Sequence, residues 1–321
     1  MHTKRLFAVV LLAGAALTAS GQQFPTKQMR MVVPAAAGGS SDIIGRLIAE
    51  HLQKRLGQTM ITENRAGAGQ TIGIGYVAKS DPDGHTLVLV TVSHTTAAAI
   101  YTRLPYDPLT DLTGVAMVGQ GPLLLTVHPS LPVKNVKQLI ALARSRPGHL
   151  DFGSAGAGTI PHMAAELFVG SAKVDMVHVP YKGIAPAVTA TVAGEVPVLF
   201  ASTPSSAAMV KSNRLRALAV TTAKRSPFMP ELPTIAEAGV PGYDVATWWG
   251  VLAPGKTPAP VVNRLNEEIR RIVASGDVKA RIVADGAEPV VDMPATQFNA
   301  LLKSDIEKWR RIVKERNIKT N

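Results

Sequence analysis

The stretch Met31-Val32-Val33-Pro34-Ala35-Ala36-Ala37-Gly38-Gly39-Ser40-Ser41-Asp42, continued by Ile43-Ile44-Gly45-Arg46-Leu47-Ile48, decides how this chain is read. A β-branched run from Met29 to Val33 reads as a strand that stops at a proline. From Ser41 to Leu56 the period changes: Ile43, Ile44, Leu47, Ile48, Leu52 and Leu56 share one helical face, while Asp42, Arg46, Glu50, Gln53 and Lys54 share the other. The spacing predicts strand, glycine loop, amphipathic helix. The first amides of such a helix lack intrahelical acceptors, and the aligned peptide dipoles place about half a positive charge there, so an anion is readily held. Gly38 and Gly39 let backbone approach a ligand, Ser40 or Ser41 can cap or donate, and Asp42 suits a first turn. Taken alone, a strand-to-helix turn capped by serine accounts for the same residues.

Further along, Ser154-Ala155-Gly156-Ala157-Gly158-Thr159-Ile160-Pro161-His162 repeats this small-and-hydroxyl composition before another helix, with Pro161 suited to a first helical position. Two such loops facing one another across a cleft can hold a carboxylate without an arginine. A third run, Arg65-Ala66-Gly67-Ala68-Gly69-Gln70-Thr71-Ile72-Gly73, has neither the G-x-G-x-x-G spacing of dinucleotide sites nor the lysine of a phosphate loop. It reads as a helix-entry loop lining the same cleft, and no cofactor is expected.

Working outward, short β-branched runs alternate with helical patterns, the mark of α/β units on mostly parallel sheets. Further strands are expected at Thr59–Thr62, Thr86–Thr91, Gly114–Val118, Leu123–Val127, Leu150–Gly153, Asp175–Val179, Val196–Phe200, Leu215–Thr221 and Val245–Leu252. The clearest further helices are Lys137–Ser145, Pro161–Phe168, Ile184–Ala193, Pro258–Ala274 and Pro294–Arg316. The centre carries its own strand and helix series between proline-marked crossings. The expected organisation is therefore a discontinuous first domain, residues 22–124 and 245–321, with a second, 125–244, inserted into it.

Lys4 and Arg5, the apolar run Leu6 to Leu17 and the small residues up to Gly21 read as a secretory signal peptide over 1–21, cleaved near Ala19 to Gly21. That run is shorter than the roughly 20 residues of a membrane-spanning helix. With no cysteine there is no disulfide, thiolate metal site or lipid-anchoring thiol. A periplasmic monomer without a stable membrane anchor is expected. The charge of +11 is scattered over the chain, and its densest group, Lys308 to Arg316, is interleaved with Asp305, Glu307 and Glu315. This is a solvated helix face rather than a nucleic-acid stripe.

Ser154, His162 and Asp175 supply the residue types of a serine hydrolase, but Phe152-Gly153-Ser154-Ala155-Gly156 lacks the G-x-S-x-G elbow. The histidines show no metal-ligand spacing, and no metal is expected. Tyr181-Lys182-Gly183 after a strand and Trp248-Trp249-Gly250 near a crossing are aromatic candidates for cleft or core.

The first quoted stretch, together with Glu63-Asn64-Arg65-Ala66-Gly67-Ala68-Gly69, Asp81-Pro82-Asp83-Gly84-His85-Thr86-Leu87, Ser154 to Phe168 and Val179-Pro180-Tyr181-Lys182-Gly183, resembles the Bug-type (TctC-like) substrate-binding proteins of tripartite tricarboxylate transporters. The resemblance covers essentially the whole chain after residue 21. It implies a type II periplasmic-binding-protein, Venus-flytrap architecture that closes on a small carboxylate and delivers it to membrane transporter subunits, without catalysis. Carried over by motif, the contacts fall at Ala37, Gly38, Gly39, Ser40, Ser41 and Asp42, with Gly69 and Gln70, in the first domain. In the second they fall at Ser154, Ala155, Gly156, Gly158, Thr159, His162 and Tyr181, with Ala201 and Ser202 on its inner side. The chain departs from the family pattern at Ile184 and at Gly194-Glu195-Val196-Pro197. A di- or tricarboxylate, an amino acid and an aromatic acid all remain open as ligand, and a sensor subunit for a signalling receptor or a periplasmic serine hydrolase are the alternative functions.

Overall fold

The structure, a computed structural model, describes residues 24–316 and 318. The expected signal peptide lies outside the described residues. In chain order the elements are β1 (Met29–Val33), α1 (Ser40–Leu56), β2 (Met60–Asn64), a 3-10 turn at Ala68–Gln70, α2 (Thr71–Ala78), β3 (Thr86–Thr91) and α3 (Ser93–Ile100). Then come β4 (Leu112–Val127), α4 (Val136–Ser145), β5 (Asp151–Ser154), α5 (Ile160–Ala172), β6 (Val177–Pro180), α6 (Ile184–Ala193), β7 (Val198–Ser202), α7 (Thr203–Lys211) and β8 (Arg216–Val220). The chain finishes with β9 (Ala246–Pro254), α8 (Ala259–Ala274), α9 (Gly276–Ala284), β10 (Glu288–Pro289) and α10 (Ala295–Arg316).

The strands run in the order β2-β1-β3-β9-β4-β7-β5-β6, with β8 and β10 also on β4. Two parallel trios stand at the ends, β2-β1-β3 and β7-β5-β6. Between them β9 and β4 pair antiparallel with their neighbours. Parallel pairing requires helical crossovers, which is why helices separate the strands of each trio. The α/β class with parallel strand cores agrees with the sequence reading.

One expectation needs correction. Gly114–Val118 and Leu123–Val127 are not separate strands but parts of the single β4, roughly 50 Å long at strand rise. Its residues Leu112 to Pro122 pair with β9, and Leu123 to Val127 pair with β7 and β8. The glycines between mark close backbone approach rather than a turn: a Cβ on Gly119 would lie 3.0 Å from the Glu288 carbonyl, and one on Gly121 would lie 3.4 Å from that of Gly286.

The central sheet is packed on both faces, and β9 shows how the alternation of a strand serves this. Trp249, wholly buried, joins the cluster that holds Ile44 and Ile48 of α1 and Leu265 and Ile269 of α8. Its neighbour Trp248 points the other way, edge-on to Phe298 with ring centroids 5.4 Å apart, and donates its indole N–H to Asp305 at 2.8 Å. Burial raises the Asp305 carboxyl above its ordinary range, with Trp248 opposing the shift. Trp248 is thus a core residue.

Candidate functional site

In open α/β sheets, ligands bind beyond the carboxyl ends of strands where connections diverge to opposite sides. Residues that follow the ends of β1, β3, β5 and β6 converge here with Ser202, the last residue of β7, around two adjoining chambers. The outer, of about 240 Å³, is lined by Pro34 and Ala35, by Gly67 to Gln70, by Tyr101, by Ala155 to Ala157, and by Pro180 to Gly183. The inner, of about 30 Å³, is lined by the hydroxyl residues Ser40, Ser41, Thr91, Ser93, Ser202 and Thr247, with Leu123, Ile160, Pro161 and Ile184 as its apolar wall. Ala35, Gln70 and Ala155 line both. Lys182 is the one charged side chain on either lining.

The sequence-predicted residues divide by where their side chains point. Ser40, Ser41, Gly69, Gln70, Ala155, Gly156, Tyr181 and Ser202 line the chambers. Gly39 packs beside them, with Ile184 only 2.7 Å from where its Cβ would stand. Ala37 and Gly38 lie exposed on the outside of the first loop. Asp42 turns back from the cavity: its carboxylate accepts from the Gly38 amide at 3.0 Å and from Arg46 and Asn64 at 2.9 Å each, and Asn64 also donates to the Ala35 carbonyl. Burial opposes its ionisation, but the Arg46, Gly38 and Asn64 hydrogen bonds outweigh that and hold its carboxyl below the usual range. Asp42 therefore shapes the loop and stays neutralised by Arg46.

Ser154, Gly158, Thr159 and His162 hold the second loop from behind. The Ser154 hydroxyl accepts from the Gly156 amide at 3.0 Å and lies 2.6 Å from His178 Nε2. Burial, with His162 adding to it, lowers the His178 pKa to about 3, so the neutral ring accepts the serine proton. His162 stacks on His178 with centroids 4.0 Å apart, and its Nδ1 accepts from the Gly158 amide at 3.2 Å. Thr159 donates to the Gly156 carbonyl at 2.6 Å. Ser154 is fully buried and paired with His178 rather than His162, so the hydrolase arrangement weighed from sequence is not formed. Ala201 sits in the core beneath Ser202.

Contacts from the two loop sets meet across the chambers. The Ser40 amide donates to Ser205 Oγ at 3.0 Å, Tyr101 to the Ala157 carbonyl at 2.9 Å, and Thr96 to that of Gly158 at 2.6 Å. The Ile160 amide donates to Ser93 Oγ at 3.0 Å. Trp249 Nε1 lies 3.2 Å from Ser40 Oγ, tying the first turn of α1 to the core. The loop before α2 runs through four consecutive positive φ angles, 134°, 44°, 60° and 82° from Gly67 to Gln70. At Ala68 and Gln70 this conformation is unfavourable by roughly 1–2 kcal/mol each, a strain of the kind that gathers at ligand sites.

Sequence reasoning missed Thr91, Ser93, Tyr101, Thr247 and Ser205. Thr91 and Ser93 were findable, since they stand at the end of the expected strand Thr86–Thr91. Tyr101, Thr247 and Ser205 reach the cleft through packing that no local pattern announces.

Next to this cleft His94, wholly buried on α3, stacks on Tyr106 and has Nδ1 unpartnered. Burial lowers its pKa to about 4, with the Pro108 carbonyl opposing. The unfolded chain binds this proton near pH 6.5 and the native state only near pH 4, so the stabilisation is complete above pH 6.5 and is lost as pH falls through that window. At pH 5 the protein should be about 2 kcal/mol less stable than at pH 7 through this residue. Urea unfolding at both pH values should show that much of the difference removed in His94→Gln; an undiminished difference would contradict the assignment.

Parallel strand trios bridged by long antiparallel strands, with helix N-termini and hydroxyls gathered at the strand ends, define the periplasmic-binding-protein class of α/β receptors. Comparison narrows this. Residues 44–318 match the family model of the tripartite tricarboxylate transporter family receptor, TctC. BugT of Bordetella pertussis is 35% identical over 99% of this chain and 99% of its own length. The solved structure of R. palustris Rpa4515 with adipate superposes with a TM-score of 0.89 at 38% identity, covering 92% of this chain and 99% of that one. MatC from Rhodopseudomonas palustris with bound malate gives 0.86 at 33% identity, covering 90% and 100%. The chain belongs to the TctC, or Bug, family of solute-binding receptors. Among the described residues no helix is long and apolar enough to cross a membrane.

Proposed function

We propose that this protein is a periplasmic receptor that binds a small carboxylate in the two chambers and delivers it to membrane transporter subunits, acting as a monomer and without chemical turnover. The observation that carries the reading is the lining itself: hydroxyls and helix-entry residues throughout, no carboxylate side chain, and Lys182 as the lone charge. The aligned peptide dipoles at helix N-termini favour an anion without the full desolvation of a buried cation. The adipate and malate of the two solved relatives are ligands of this chemical kind. The ligand contacts are assigned to Ser40, Ser41, Gly69, Gln70, Ala155, Gly156, Tyr181 and Ser202, with Gly38, Asp42, Ser154, Thr159 and His162 holding the loops in place.

The two strand trios, with the helices packed on them, act as lobes: the described residues within 22–124 and 245–321 form one, and 125–244 the other. β4 and β9 are the connections between them, and contacts from both lobes to one ligand favour closure. The test is thermal unfolding against a panel of mono-, di- and tricarboxylates, amino acids and aromatic acids. A ligand at 100 times its Kd stabilises by about 2.7 kcal/mol, a shift of a few degrees in a chain of this size. A selective shift within the carboxylates is the expected result; a flat response from protein free of carried-over ligand would refute it.

A further inference from the structure

Gln70 is the only polar side chain common to both chambers. It is 8% exposed, and its Oε1 is buried without any hydrogen-bond partner. A buried acceptor left unmet is destabilising, and the neighbouring protein groups do not answer it. A carboxylate at neutral pH cannot answer it either, because its oxygens only accept.

The chambers differ in what they can take. The inner, at about 30 Å³ against about 240 Å³ for the outer, has room for a single small polar head beside Ser40 and Ser41. The body of a ligand then lies in the outer chamber of about 240 Å³. Gln70 lines both chambers and so stands at their junction.

We propose that Gln70 is a specificity-determining residue that selects acids carrying a hydrogen-bond donor on the carbon beside the carboxylate, a 2-hydroxy or 2-amino dicarboxylate. The inference rests on the carboxylate reading of the same chambers. A site built to hydrogen-bond a ligand hydroxyl or ammonium discriminates strongly against the analogue that lacks it, because the buried partner is then left unpaired.

The experiment is titration calorimetry of the mature protein with malate, aspartate and succinate, which share a four-carbon diacid frame and differ at C2. Adipate serves as a longer diacid without the donor. Wild-type protein should bind malate or aspartate at least about tenfold more tightly than succinate, and the stronger of the two names the donor. Gln70→Gly is the principal variant, since glycine accepts the φ of 82° without strain. Gln70→Leu is the second, because its apolar side chain keeps water from standing in for the amide. In both, discrimination should fall to within about threefold by loss of malate or aspartate affinity, with succinate little changed. Equal wild-type affinities for malate, aspartate and succinate overturn the proposal while leaving the carboxylate reading intact. The same holds if the preference survives in both variants, or if an amide rotated to present its N–H₂ makes succinate the best ligand. No binding of any of the four acids overturns the proposal, and the carboxylate reading then stands or falls with the wider thermal-unfolding panel.

Discussion

Replacing Trp249 by alanine should lower the unfolding free energy by about 3–5 kcal/mol, the cost of emptying a large, fully buried aromatic position. The residue is 0% exposed, lies on a strand paired on both sides, and packs in the cluster with α1 and α8. The cavity would open between the central sheet and two helices, where collapse is resisted by long strands on either side. Trp249 also supplies the indole N–H that meets Ser40 Oγ, so the damage reaches the first turn of α1. Trp249→Phe separates these roles: it keeps most of the volume and removes the donor. Urea unfolding should show the phenylalanine variant within about 2 kcal/mol of wild type, yet with a smaller ligand-induced stabilisation. An alanine variant within about 1 kcal/mol of wild type would mean that the packing described is wrong.

Gly69→Val should weaken carboxylate binding by about 100-fold or more while the protein stays folded. At Gly69 the φ is 60°, and a Cβ would overlap the Ala157 carbonyl oxygen and lie 3.0 Å from Tyr101 Oη. Gly69 follows β2 and Ala157 follows β5, strands of different trios, so a side chain here separates the two loop sets proposed to touch the ligand together. The backbone conformation itself adds about 1–2 kcal/mol of destabilisation for a β-branched residue. That is small enough for a cooperative melt to persist. Thermal unfolding of the variant with and without the best acid from the panel is the check: the wild-type shift should vanish, and an unchanged shift would show that the loops need not approach.

Much of the first half of the site was legible. The change of period at Ser41 announced α1, the paired glycine loops announced two helix entries, and the order of motifs announced the family. These are local signals, written in residues whose spacing alone sets which face is apolar. Elsewhere local spacing misleads. Gly119 and Gly121 look like punctuation yet lie inside β4, because the Gly286–Glu288 backbone packs against them. α3 opens with Ser93-His94-Thr95-Thr96, which carries no apolar stripe; its buried hydroxyls are satisfied by Val92, Ser93 and Gly158 carbonyls, the last from the far loop. α7, with Thr203-Pro204-Ser205-Ser206, is hidden for the same reason.

The direction of each predicted contact was likewise beyond the sequence. Composition marks Ser154, His162 and Ser40 equally as polar loop residues, yet Ser154 and His162 are consumed by His178, Gly156 and Gly158 while Ser40 faces the inner chamber. A buried polar group must find a partner, and whether that partner is protein or ligand depends on what distant segments bring beside it. Periodicity and glycine spacing therefore sufficed for the α/β class and the helix-entry loops. Which hydroxyls remain for the ligand, where Gln70 stands unmet, and how β4 joins the two parallel trios follow from contacts between residues far apart in the chain, which no local pattern encodes.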